Sequence, residues 1–190
     1  MNIIAGIAKN VKLDVPSGLT VRPTSVRARR SLFDRLNNLN GFTVVDLCAG
    51  AGGFGLEAAS RGAGDVYFIE ILRSNCKIIS KNINKIIKAG VKSSMTILNK
   101  DTKKVCGMLA NLSQNIDLIF LDPPYADSCD IADSLFKAKD FSLWAKNSLV
   151  IFETSSDISK KPAFEEYEMW IAVDRLKVGQ SIFYILKSVI

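Results

Sequence analysis

Hydrophobic residues in this chain gather into short apolar runs, separated by longer segments that repeat every three to four positions. The runs Thr43–Leu47, Val66–Ile69, Met95–Leu98 and Ile116–Leu121 are rich in β-branched residues and are bounded by Gly, Asn or Asp. Short, nearly continuous runs of this kind predict strands buried on both faces, as in a parallel sheet. Between them the spacing is helical. Ile78, Ile79, Ile83, Ile86 and Ile87 share one face, and Lys77, Lys81, Lys85 and Lys88 lie largely opposite. Isoleucine is not an ideal helix former, but the periodicity outweighs its propensity. Strand alternating with helix predicts a doubly wound α/β sheet.

Both ends of the chain break that rhythm. Leu149–Glu153 predicts a fifth strand, and Glu166–Val173 and Ser181–Lys187 predict two more, joined by a short turn around Val178-Gly179. So short a link cannot hold a crossover helix, so the last two strands must be antiparallel. At the start, Ile3–Ala5 and Lys12–Val15 flank a polar turn and predict a small hairpin. A helix then follows Pro23, with Thr24 or Ser25 as its cap. Ala28, Leu32, Leu36 and Leu39 should face the core with Phe33 beside them, while Arg27 and Arg30 point elsewhere. Residues 1–190 read as a single domain, in which 1–40 extend a core formed by 41–190.

Composition narrows the class. The 190 residues suffice for one domain with a sizeable core, and 48% hydrophobic with 23% charged content is that of a globular protein. No apolar run is long enough to span a bilayer, and the amino terminus lacks the pattern of a cleaved secretion signal. The expectation is a cytoplasmic monomer with no membrane attachment. A net charge of +6 favours a polyanionic partner. There is no histidine, and Cys48, Cys76, Cys106 and Cys129 lie far apart. These features argue against a zinc site and against any imidazole base, and the cysteines read as reduced core residues.

The first strand runs into Asp46-Leu47-Cys48-Ala49-Gly50-Ala51-Gly52-Gly53-Phe54-Gly55, with a helix expected to begin near Leu56. Gly50, Gly52 and Gly55 spell G-x-G-x-x-G, and Glu70 ends the second strand where a ribose-binding acid would stand. A nicotinamide nucleotide is therefore one reading. Asp46 argues for another, because its carboxylate would repel a pyrophosphate but would suit the amino group of a methionine moiety. Asp101, just past the third strand, offers an acceptor for an adenine amino group. Open α/β sheets bind ligands at the carboxyl ends of their strands, where all three acids fall. The cofactor expected is S-adenosylmethionine, although Asp46 or Asp101 alone could equally be a helix cap.

The fourth strand leads directly into Asp122-Pro123-Pro124-Tyr125. Two prolines between an acid and an aromatic make a rigid edge poor in donors. The amino nitrogen of a nucleobase is a weak nucleophile because its lone pair is delocalised into the ring. The Asp122 carboxylate and the Pro123 carbonyl could accept its two N–H bonds and direct the lone pair at a methyl group, while Tyr125 stacks on the base. A sulfonium donor is already activated, so this chemistry needs neither metal nor histidine.

On these residues the chain resembles the bacterial 16S rRNA guanine-N2 methyltransferases of the RsmD type. The resemblance extends over Ile3-Ile4-Ala5-Gly6, Arg22-Pro23-Thr24, Arg27, Arg29, Leu32-Phe33, Gly55-Leu56-Glu57-Ala58, Ser60-Arg61-Gly62-Ala63, Asn82 and Asp122-Pro123-Pro124-Tyr125. It implies a class I methyltransferase fold, a guanine of 16S rRNA as substrate, free or in a small-subunit assembly particle, and an amino-terminal segment that helps to bind RNA. Arg22, Arg27 and Arg30, with Lys9 and Lys12, are the candidate phosphate contacts. The chain departs from the family pattern at Asn10 and Val11, where a glycine and a basic residue are usual, and at Val26 and Arg30, where acids are common. The alternatives are an adenine-N6 methyltransferase acting on DNA or RNA, and an RNA-binding assembly factor without turnover.

Overall fold

The apolar runs become strands β1 (Thr43–Leu47), β2 (Asp65–Ile69), β3 (Ser94–Leu98) and β4 (Leu118–Leu121), followed by β5 (Leu149–Ser155), β6 (Trp170–Val178) and β7 (Ser181–Ser188). The computed structural model describes residues 1–16, 25–106, 116–157, 162 and 164–190, and joins these strands in one sheet of order β3-β2-β1-β4-β5-β7-β6. Strands β1 to β5 run parallel, and β7 lies antiparallel to both β5 and β6. This is the class I methyltransferase arrangement. Arg22, Pro23 and Thr24 lie outside the described residues.

Helices α1 (Val26–Leu36), α2 (Gly53–Ser60) and α3 (Arg73–Lys88) cover one face of the sheet, and α4 (Ser128–Phe136) and α5 (Lys139–Trp144) cover the other. The period of two along a strand divides the core. Val44, Phe120 and Ile151 pack with Phe33, Phe54 and Ile79, whereas Val45, Ile119 and Val150 pack with Phe136 and Phe141. Asp46 shares the parity of Val44, so its carboxylate points under α2 and not out to solvent.

Several expectations are corrected. β3 is a half-exposed edge strand, not one buried on both faces. Helix α2 begins at Gly53, not near Leu56. On α3, Ile87 is exposed, while Asn75 and Asn82 take buried places beside Ile79 and Ile86. The strand expected from Glu166 begins at Trp170, because Phe164–Glu166 forms a 3-10 turn that tucks Tyr167 and Trp170 against Phe136. Their polar ends are satisfied there: Tyr167 donates to Asp133 (2.5 Å) and Trp170 Nε1 to Ser142 Oγ (2.8 Å).

The amino-terminal hairpin forms a little earlier than expected: Asn2 bridges Lys12, Ile3 N donates to Val11 O (3.1 Å), Asn10 N to Ile3 O (2.9 Å) and Leu13 N to Met1 O (2.7 Å). Its segment also laps over α2. Glu57, fully buried, accepts from Ile4 N (2.7 Å), Ala5 N (3.0 Å) and Arg61 Nε (2.8 Å). Ser60 Oγ accepts from Ala8 N (3.0 Å) and donates to Ala5 O (2.6 Å). Gly6 crosses so closely, at φ 80°, that a Cβ there would fall 1.8 Å from the Ser60 carbonyl oxygen. From α3, Asn82 accepts from Asp14 N (2.8 Å) and donates to Asp14 O (3.0 Å) and Ala51 O (3.1 Å), tying this lap to the glycine loop. Residues that carry the family resemblance in four separate stretches thus form one clamp.

Candidate active site

The loop after β1 turns sharply. Cys48 (φ 60°), Gly50 (φ 57°) and Gly52 (φ 81°) all take left-handed backbone, and Gly52 is the N-cap of α2 with no side chain to offer. Asp46 supplies the missing acceptor from below, its Oδ2 taking the Gly55 N–H at 2.8 Å. Gly55 serves packing, since a Cβ would lie 2.4 Å from Cε1 of Phe68. Glu70, at the end of β2, holds the loop from the side: Oε2 accepts from Gly50 N (2.7 Å) and Oε1 from Leu72 N (2.8 Å). Asp101 accepts from Lys103 N (3.0 Å) and caps the 3-10 turn Thr102–Lys104. The carboxylates expected to hold a cofactor therefore also brace the glycine loop and the turn after β3.

Next to this loop, Asp122 N donates to Leu47 O (3.4 Å), which sets the ends of β4 and β1 side by side. Pro123 is buried and Pro124 is exposed, in extended backbone (φ −52°, ψ 135°). Tyr125 opens the 3-10 turn that leads into α4, and Ser128 Oγ donates to its carbonyl oxygen (3.1 Å).

A cavity of about 630 Å³ lies between the two strand ends. Of the predicted residues it brings together Asp46, Gly50, Glu70, Asp101, Asp122, Pro123, Pro124 and Tyr125. Gly52 and Gly55 shape the loop from behind and do not line it. Lys9, Lys12, Arg27 and Arg30 are exposed and also outside the lining. The sequence reading missed Cys48, Asn75, Thr102 and, above all, Arg29 as wall residues. The signal for Arg29 was its position three before Leu32 and four before Phe33, on the buried stripe of α1.

The described cavity wall is acidic, carrying Asp127 and Asp130 in addition to the predicted acids, with Arg29 and Lys103 among its cations. Burial pushes the Asp46 carboxyl well above the usual carboxylate range, the Gly55 hydrogen bond works against this, and the nearby charges of Asp122 and Glu70 raise it further. Its Oδ1 is buried without a hydrogen-bond partner. Burial also pushes the Cys48 thiol up to about 12, against a contact with Thr102 Oγ1 (3.4 Å), so this cysteine is no thiolate nucleophile.

Such a wall suits a cationic ligand bearing an amino group, for which Asp46 Oδ1 is a ready acceptor. It does not suit a pyrophosphate, because the Gly55 N–H in the first turn of α2 is already given to Asp46. Among the described residues no cluster of His, Cys, Asp and Glu could hold a metal ion, and no helix is long and apolar enough to cross a membrane.

Comparison with known proteins gives the family and the fold. The Haemophilus influenzae protein named ribosomal RNA small subunit methyltransferase D is 28% identical over 159 residues, covering 83% of this chain and 80% of that protein. The Escherichia coli K12 protein of the same name is 32% identical over 126 residues, 66% of this chain and 60% of its own length. Among solved structures, a hypothetical protein from Thermus thermophilus shares the fold with a TM-score of 0.73 at 23% identity, covering 100% of this chain and 99% of that one. A putative methyltransferase of Escherichia coli shares it with a TM-score of 0.66 at 24% identity, covering 99% and 97%. The model of the family described as conserved hypothetical protein 95 matches residues 1–187, and the chain belongs to that family, which comprises the RsmD-type rRNA methyltransferases.

Proposed function

We propose that the protein transfers a methyl group from S-adenosylmethionine to the 2-amino group of a guanine in 16S rRNA, free or within an assembling small-subunit particle, a reaction placed in the cytoplasm. The observation that carries this reading is one acidic cavity lined both by Asp46, whose buried Oδ1 has no hydrogen-bond partner, and by the Asp122-Pro123-Pro124-Tyr125 edge. The names of the relatives support rRNA as the substrate.

When bound, the cofactor supplies an activated methyl group on a sulfonium. Asp46 holds its ammonium, Glu70 its ribose hydroxyls and Asp101 the adenine amino group, while Gly50 lets the backbone approach. The acids around the cavity favour the positive sulfonium over its neutral demethylated product. Asp122 and the Pro123 carbonyl accept the two N–H bonds of the guanine amine and align its lone pair, and Tyr125 stacks on the extruded base. The stiff Pro123-Pro124 backbone holds these acceptors in place with little reorganisation. The amine proton leaves after transfer, so Asp122 acts by orientation and charge and not as a strong base. Exposed Lys9, Lys12, Arg27 and Arg30 offer phosphate contacts along the RNA.

The experiment is Asp122→Ala. The variant should bind S-adenosylhomocysteine as the unmodified chain does, yet methylate under-modified small-subunit rRNA about 30- to 1,000-fold more slowly, the equivalent of about 2–4 kcal/mol of barrier. An unchanged rate would remove Asp122 from the mechanism. Label found on adenine would move the activity to the N6 methyltransferases.

A further inference from the structure

Arg29 is a buried cation that the fold leaves incompletely used. It sits on the inner stripe of α1, only 1% exposed, and it lines the cavity. Its Nη2 donates to Asn2 O (2.5 Å), and its Nη1 meets the thioether of Met1, a weak acceptor. Its Nε is buried with no partner at all. Burial lowers the pKa of the guanidinium, and the charges of Glu57 and Glu153 work against that. The side chain lies against the start of α2, where a Cβ on Gly53 would stand 3.2 Å from Nη1.

Two residues of the described cavity wall therefore each carry a buried side-chain atom without a partner, and the demands of these atoms are opposite. Arg29 Nε is a donor on a cation, and Asp46 Oδ1 is an acceptor on an acid. Both groups border the first turn of α2, Asp46 through Gly55 N and Arg29 beside Gly53. A phosphate would satisfy the first and repel the second, and a simple amine would do the reverse. An α-amino acid group, with carboxylate and ammonium on one carbon, satisfies both.

We propose that Arg29 binds the carboxylate of the cofactor's methionine end while Asp46 binds its ammonium, so that the pair recognises the zwitterion. This rests on the cofactor assigned above. Charge-assisted bonds of this kind are short and strong where water is excluded. A guanidinium that spends a donor on a thioether is poised to exchange it for a carboxylate oxygen.

The test is isothermal titration of three ligands against the full chain and its Arg29→Lys, Arg29→Met and Asp46→Asn variants. The ligands are S-adenosylhomocysteine, its decarboxylated analogue, which keeps the ammonium, and 5′-methylthioadenosine, which lacks the amino acid end. Arg29→Met should weaken S-adenosylhomocysteine by about tenfold or more, with the other two ligands changed by less than about twofold. Arg29→Lys should fall between, since it keeps the charge but loses the fork. Asp46→Asn should weaken both ammonium-bearing ligands and spare 5′-methylthioadenosine. Equal losses for all three ligands in Arg29→Met would show that Arg29 only pins the amino-terminal lap, and an undiminished affinity for S-adenosylhomocysteine would refute the assignment directly. Failure of the unmodified chain to bind S-adenosylhomocysteine would overturn the cofactor itself, a result distinct from any variant effect.

Discussion

Replacing Asp46 by Asn separates the stability of the empty fold from cofactor capture. The amide oxygen can still accept the Gly55 N–H at 2.8 Å, so the start of α2 keeps its support. What disappears is a buried acid with one unpartnered oxygen, lying near Asp122 and Glu70. Relieving that site contributes on the order of 1–2 kcal/mol, offset only in part by the amide NH2 that takes its place. For a chain of this length each kcal/mol moves the melting temperature by about 2–4 °C, so the empty variant should melt a few degrees higher. It should also lose about 10- to 150-fold in affinity for S-adenosylhomocysteine, the equivalent of a charged hydrogen bond of about 1.5–3 kcal/mol.

The pH dependence follows from the same carboxyl group. Because its pKa is raised in the fold above the ordinary 3.8, the folded state holds more protons than the unfolded chain between that value and the raised one. This contribution to stability is thus present at low pH and declines as pH rises through the window. Asn at position 46 removes the decline. Cofactor binding, which favours the ionised form, should release a proton and weaken as pH falls. Thermal scans and titrations across pH, in buffers of different ionisation enthalpy, read both effects. A variant that melts lower than the unmodified chain and binds as tightly would show that Asp46 is neither a burden on the empty fold nor the ammonium acceptor.

Two further substitutions test the frame. Gly55→Ala places a Cβ 2.4 Å from the Phe68 ring without straining the backbone, so it should cost about 1–3 kcal/mol of overpacking and lower the melting temperature by several degrees; an unchanged melting temperature would mean that the helix and strand are less closely packed than described. Gly6→Ala meets both a φ of 80° and the Ser60 carbonyl oxygen, and should release the amino-terminal lap. Hydrogen exchange should then quicken at the Ile4 and Ala5 amides, which donate to Glu57, while β1 and β4 stay protected, and full protection at those two amides would refute the lap.

Much of the fold was legible because its central strands obey one rule. Thr43–Leu47 is buried at every position, and a strand covered on both faces reads as a nearly continuous apolar run, interrupted here by Asp46 at the site. The parts that were not legible are those where polar residues take inside positions or apolar ones serve another element. Arg29, Asn75 and Asn82 lie on buried helical faces, so counting apolar residues alone misjudges those faces. The stretch from Tyr167 is apolar enough to read as strand, but its rings complete an aromatic cluster around Phe136.

At the site, the acids and the Asp122-Pro123-Pro124-Tyr125 edge were visible as motifs, and the cavity brings them together. The second role of those acids was hidden, because the partners of Asp46 and Glu70 are backbone amides of Gly55, Gly50 and Leu72, which no side-chain pattern announces. The four resemblance stretches around Gly6, Glu57, Ser60 and Asn82 looked like separate signatures. Folding joins them by hydrogen bonds that reach across more than fifty positions of sequence.

Methyl transfer to a guanine amine can be read directly by nucleoside mass spectrometry of under-methylated 16S rRNA, or of small-subunit particles, incubated with the purified protein and isotopically labelled S-adenosylmethionine. Label should appear in N2-methylguanosine at a single position and be lost in Asp122→Ala. Label in another nucleoside, or none although S-adenosylhomocysteine binds, would rule that reaction out.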